Sequence, residues 1–137
     1  MRKQKFYNLE KDTTDWYTER WLNEQTRVRD VDNLQVWHHY WEDVAGDLWV
    51  DFNNPEENVH QDFLAYRQAK QYLTPEQLQA VRHLAALSIP AFAKLVGLSA
   101  NALRELEQDQ RVQTDAEERR LVPVWQSFQN DAQLSER

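Results

Sequence analysis

The sequence has no cysteine. Disulfides and thiolate metal sites are therefore excluded, the composition suits a reducing compartment, and a cytoplasmic location is expected. Glycine is nearly missing too. With only Gly46 and Gly97, no Gly-rich phosphate loop can be built. No apolar run is long enough to cross a bilayer, and the basic start MRKQKF is not followed by the apolar region of a signal peptide. Gly/Ser-rich linkers and internal repeats are also missing. Positive charge is in short supply. Sixteen Lys and Arg face twenty-three Asp and Glu, a net charge of −7, which argues against indiscriminate nucleic-acid binding.

The residues of catalysis are equally thin. No Ser or Cys stands in an activating arrangement. The carboxylate pairs Glu42-Asp43, Glu56-Glu57 and Glu117-Glu118 read as solvated faces or helix starts. His38, His39, His60 and His83 fall in no metal-ligand spacing, and adjacent His38 and His39 point to different sides of the expected helix, unlike the one-face i, i+4 arrangement of zinc enzymes. No enzyme activity, cofactor or metal site is expected.

Aromatic residues are plentiful, with six Trp in 137 residues. Residues 1–72 hold nine Lys and Arg against fourteen Asp and Glu, so the acidity is concentrated there. Arg2, Lys3 and Lys5 form a small basic cluster, either a phosphate-contacting arm or a solvated terminus. Thr13 or Thr14 caps an expected helix to about Arg27, with Trp16, Tyr17 and Trp21 on one face. Asp32 caps a second, on which Leu34, Trp37, Trp41, Val44 and Leu48 follow a three-four spacing. That stripe is a core or dimer face, or else an aromatic ligand cage. Leu48 to Phe52 alternates, but no second strand is evident to pair with it, so an apolar linker is expected. Asn53-Asn54-Pro55 opens a helix carrying Val59, Phe63, Tyr66 and Ala69 to about Gln71. Residues 1–72 are thus expected to be a helical, aromatic, acidic region.

Residues 73–128 carry the clearest punctuation. Thr74-Pro75-Glu76-Gln77 is a capping box with Pro in the first turn. Leu78, Val81, Leu84 and Ala85 follow at helical spacing. Ser88 and Pro90 start a second short helix with Phe92, Ala93, Leu95 and Val96. Gly97 ends it, where φ > 0 is wanted. Ser99 caps a third helix with Ala102, Leu103 and Leu106. Thr114-Asp115-Ala116-Glu117 is another capping box, opening a helix with Leu121, Val122, Val124, Trp125 and Phe128. Pro123 predicts a kink or restart within it. Residues 129–137 are expected to fray.

Two short helices around a Gly-containing turn match a helix-turn-helix. The run Phe92-Ala93-Lys94-Leu95-Val96-Gly97-Leu98-Ser99, with Leu103 and Glu107, resembles the Xre/Cro-type repressor family. LTPEQLQAVR resembles the entry helix of the subgroup in which this domain is C-terminal, including MqsA-type antitoxins. The resemblance implies an all-α chain with a five-helix domain at its C-terminal end, binding operator DNA as a homodimer. It places Ser99, Ala100, Asn101, Arg104 and Glu105 toward DNA, Asn101 and Arg104 as base readers, and Lys94 and Arg111 as phosphate contacts. Asp109 stands where the family often has Gly, and Ile89 where it often has Gln.

A transcriptional regulator, repressor or antitoxin-like, is the leading expectation. A protein-interaction module on the same scaffold is the alternative, since residues 73–128 have no basic excess and Glu105 lies on the reading helix. A protein partner of the N-terminal region, or a small molecule, would then meet Trp16, Trp37 and Trp41.

Overall fold

The computed structural model describes residues 1–135. It divides into two compact units, Met1–Tyr66 and Arg67–Arg137, the division falling within a helix. The expected all-α architecture does not hold. The first unit is built on an antiparallel four-stranded sheet, and the chain is mixed α and β.

The strands are β1 (Lys3–Asn8), β2 (Thr13–Val28), β3 (Val31–Glu42) and β4 (Leu48–Trp49), in the order β1-β2-β3-β4. The expected helices from Thr13 and Asp32 are β2 and β3. These segments are rich in Thr, Trp, Tyr and Val, whose side chains suit a pleated, half-buried surface. A two-residue turn, Arg29-Asp30, joins Val28 to Val31, with Arg29 at φ 48°. The alternating Leu48 stretch does find a partner, because Trp49 pairs with Trp41 and Leu48 with Glu42.

Each face of the sheet has its own cluster. Leu34, Val36 and His38 are buried on one face. Phe6, Tyr17 and Trp41 form a core on the other, with Trp49 and Phe52 packed against it. The helix α1 (Glu57–Lys70) follows. Its Asn58 side chain accepts from His39 N at 2.7 Å and donates to His39 O at 2.9 Å. One amide thus satisfies both backbone groups that His39 turns away from β2, beyond the two residues of β3 that β4 covers, and blocks further pairing there.

The second unit contains α2 (Pro75–Leu84), α3 (Ile89–Val96), α4 (Ala100–Glu107) and α5 (Asp115–Ser135). These are four complete helices where five were expected. α5 runs through Pro123 without restarting and carries residues 129–135 as helix; 136–137 lie outside the described residues. Leu78, Val81, Phe92, Ala93, Val96, Leu103, Leu106 and Leu121 make the core. Each short helix is bounded as its caps predict. Thr74 and Gln77 form their capping box, Ser88 and Ser99 accept from Ala91 N and Ala102 N, and Thr114 and Glu117 form a second box. No helix of the described residues is long and apolar enough to cross a membrane.

Candidate functional site

Among the described residues, two of the organised polar clusters hold candidate site residues. The first is the α3–α4 pair. Gly97 ends α3 at φ 78°, ψ 29°, and two residues later Ser99 starts α4. Phe92, Ala93 and Val96 from α3 and Leu103 and Leu106 from α4 face the core, which turns Lys94, Asn101 and Arg104 outward to solvent. Among the described residues, neither Lys94 nor Arg104 has a carboxylate partner. Ser99 spends its hydroxyl on the cap, at 3.0 Å from Ala102 N. Ala100 is partly buried and packs against the core.

Glu105 is not a lone negative charge. Its Oε2 accepts from Arg111 Nε at 3.1 Å, and its Oε1 accepts from Asn101 Nδ2 at 2.9 Å. Arg111 also donates to both oxygens of Glu117 at 2.8 and 2.7 Å. The Glu117 carboxylate beside Arg111 raises the guanidinium pKa although burial opposes it. Arg111, expected as a phosphate contact, is therefore committed to two carboxylates. Arg120 of α5, which had no motif to announce it, lies over the α3–α4 turn. A Cβ at Gly97 would be 2.6 Å from its Nη1.

The second place is the sheet around His38 and His39. Neighbours on a strand point to opposite faces, and here both imidazoles are buried and held between carboxylates. His38 Nδ1 is 3.0 Å from Glu24 and Nε2 is 2.6 Å from Asp62. His39 Nδ1 is 2.8 Å from Glu57 and Nε2 is 2.7 Å from Glu19, while Asp51 lies 3.6 Å from Nδ1. An ionised carboxylate only accepts, and a neutral imidazole donates from one nitrogen alone. Two such neighbours favour the doubly protonated ring. Burial lowers both imidazoles, but the hydrogen bonds and charges of Asp62 and Glu24, and of Glu57 and Glu19, outweigh it and leave both raised. Tyr40 donates to Glu24 at 2.6 Å; burial and that carboxylate push its phenol up to about 12.

No family model, curated protein or solved structure matches the chain.

The expected aromatic site does not assemble. Trp41 is 1% exposed and part of the sheet core. Trp16 pairs across β1 with Lys5, whose ammonium sits over its ring, on the face opposite Trp41. Trp37 is 59% exposed. Trp21, expected on one aromatic face with Trp16 and Tyr17 but not in the ligand site, stacks on His39 at 4.4 Å between ring centroids. The His38 and His39 partners escaped detection because Glu19, Glu24, Asp51, Glu57 and Asp62 come from three other segments. No spacing within one element announces them.

Proposed function

We propose that the protein is a DNA-binding transcriptional regulator of the repressor or antitoxin type, acting in the cytoplasm as a homodimer on a two-fold operator. One observation carries this reading: α3, a left-handed Gly97 and α4 form a capped two-helix unit that turns Lys94, Asn101 and Arg104 to solvent together. In a helix-turn-helix the second helix lies in the major groove. Arg104 has the fork that matches guanine O6 and N7, and Asn101 the amide that matches adenine N6 and N7. Lys94 adds a phosphate contact. Arg120 places a further cation beside the turn, while Arg111 braces Glu105. With so few free cations, affinity rests on a dimer doubling the contacts and falls steeply with salt.

The test is fluorescence anisotropy with DNA from upstream of the protein's own coding sequence and with scrambled DNA, at low and physiological salt. Arg104→Ala is expected to cost about 1–3 kcal/mol and to relax specificity. Absence of binding to either DNA at low salt defeats the reading.

A protein-interaction module is the second reading. It is favoured by Trp16, Trp21 and Trp37, each more than half exposed on the sheet of the first unit. Large exposed aromatics are frequent anchors at protein interfaces. In this reading the helix-turn-helix is a scaffold that no longer reads DNA, so substituting the three would abolish partner capture while neither DNA is bound even at low salt.

A further inference from the structure

Four segments of the first unit converge on one imidazole: β2 through Glu19, β3 through His39, the connection after β4 through Asp51, and the first turn of α1 through Glu57. We infer that His39 Nδ1, Asp51 and Glu57 form a binding site for one divalent transition metal, Zn2+ fitting best, with Glu19 orienting the imidazole from its far side.

The donor geometry carries this furthest. One ligand atom from each of His39, Asp51 and Glu57 lies within 4.8 Å of the others. Nδ1 stands 2.8 Å from Glu57 Oε1 and 3.6 Å from Asp51 Oδ2. Donors at about 2.0–2.2 Å from a tetrahedral Zn2+ stand roughly 3.3–3.6 Å apart. The Asp51 separation lies at the upper end of that spacing and the Glu57 separation falls short of it, so the Glu57 carboxylate would turn slightly away to admit the ion.

The surroundings match a metal ligand set. A ligating imidazole characteristically gives its other N–H to a carboxylate, which fixes the ring and its tautomer. Glu19 stands 2.7 Å from His39 Nε2 for that purpose, and the ion would take Nδ1 in exchange for the proton that nitrogen otherwise shares with Glu57. Asp51 is itself held. Its Oδ2 accepts from Trp41 Nε1 at 3.2 Å, and its Oδ1 accepts from the backbone N–H groups of Asn53 and Asn54 at 2.7 and 3.0 Å.

Charge points the same way. Three carboxylates surround one imidazole 6% exposed. The nearest other cation, Arg2, lies 3.7 Å from Glu19 on a side chain 63% exposed. His38 makes the contrast, since each of its nitrogens faces a single carboxylate and no nitrogen has two. Imidazole with carboxylates suits Zn2+ and Co2+, whereas Mg2+ prefers oxygen and keeps its waters. A bound ion would clamp the connection and the start of α1 onto β3. Only the folded chain holds these donors together, so binding stabilises it.

The experiment titrates chelator-treated full-length protein with Zn2+ by calorimetry, with melting followed in parallel. We expect one Zn2+ per chain and a raised Tm. Asp51→Asn and Glu57→Gln should each weaken binding at least about tenfold, and Glu19→Gln about 10–100-fold. Co2+ should give the strong visible bands of a four-coordinate site. His60→Gln is the control. His60 lies outside this cluster, 3.7 Å from the exposed Glu56, and its loss should leave binding unchanged. Circular dichroism without metal establishes that each variant folds. A variant-independent reading comes from the wild type, whose His39 ring nitrogen resonances must move on Zn2+ addition. The proposal is overturned if no stoichiometric binding appears, if Asp51→Asn and Glu57→Gln bind like wild type, or if the shifts are confined to His60 and His83.

Discussion

Arg111 and Glu105 are joined at 3.1 Å beside the outward face of α4, so the acidic residue on the proposed reading helix arrives already neutralised. Both side chains are 32% exposed. A pair this open contributes no more than about 1 kcal/mol, and Arg111 keeps Glu117 without it. Glu105→Gln should therefore change the melting temperature little. It also removes one negative charge from the proposed DNA face, so affinity should rise severalfold at low salt and converge with wild type at high salt. Anisotropy across a salt series checks this. Weaker binding at every salt concentration would mean instead that the carboxylate accepts from a base.

Gly97 and Arg120 make a second coupled pair. At φ 78° an L side chain is disfavoured by about 1–2 kcal/mol, and a Cβ there meets Arg120 Nη1 at 2.6 Å. Gly97→Ala should destabilise the second unit by more than about 1 kcal/mol, read from denaturant midpoints. In the Gly97→Ala/Arg120→Ala double variant the steric part should be recovered and the backbone part should persist. A double variant as stable as Arg120→Ala alone would show that the left-handed conformation costs nothing here.

The second unit was legible because its signals are local. A cap acts over three residues, so Thr74, Ser88, Ser99, Gly97 and Thr114 announce their helices without reference to anything distant. Asp109, standing where glycine is frequent in the resembling family, adopts φ 56°, a conformation that Asp tolerates better than most residues. Pro123 lies inside α5 as expected, and the helix continues past it without a restart. The first unit was misread because burial changes face within β3. Leu34, Val36 and His38 are buried on one side, then His39 and Trp41 on the other. That switch blurs a period of two, and Leu34, Trp37 and Trp41 then imitate a helical stripe. The His39 cluster was illegible for a different reason. Its members span Glu19 to Glu57, and only strand pairing and the course of α1 bring them together.

Arg82 and Glu107 offer a test of buried charge. Arg82 Nε and Nη2 both reach the Glu107 carboxylate, at 2.8–3.0 Å, with the Glu107 side chain 3% exposed. Removing only the cation strands a buried carboxylate, at a typical cost of about 3–5 kcal/mol. Arg82→Met should therefore be severely destabilising, whereas Arg82→Met/Glu107→Leu should regain most of the loss, because an apolar pair needs no compensation. Chemical denaturation of the three proteins decides it. Equal stability of the single and double variants would show that Arg82 acts through packing rather than charge.

Asp43 should make the first unit sensitive to acid. Lys11 beside it holds its carboxyl well below the usual carboxylate range. The Trp49 indole N–H, at 3.0 Å, and the backbone N–H of Asp47 add to this, while burial works against it. Its Oδ1 also accepts from the backbone N–H groups of Ala45 and Asp47, both at 2.9 Å, so the ionised form organises the turn between β3 and β4. A carboxylate whose folded pKa is depressed adds stability that is complete above its unfolded value, near 3.9. That stability is lost as pH falls through the folded value. Wild-type stability should accordingly decline below about pH 4, and Trp emission should report the loss, since Trp49 donates to this carboxylate. Asp43→Asn keeps the shape but not the charge. It should be less stable than wild type at pH 7, and its stability should fall less steeply between pH 5 and 2. Parallel acid slopes for the two proteins would move the acid sensitivity to other carboxylates.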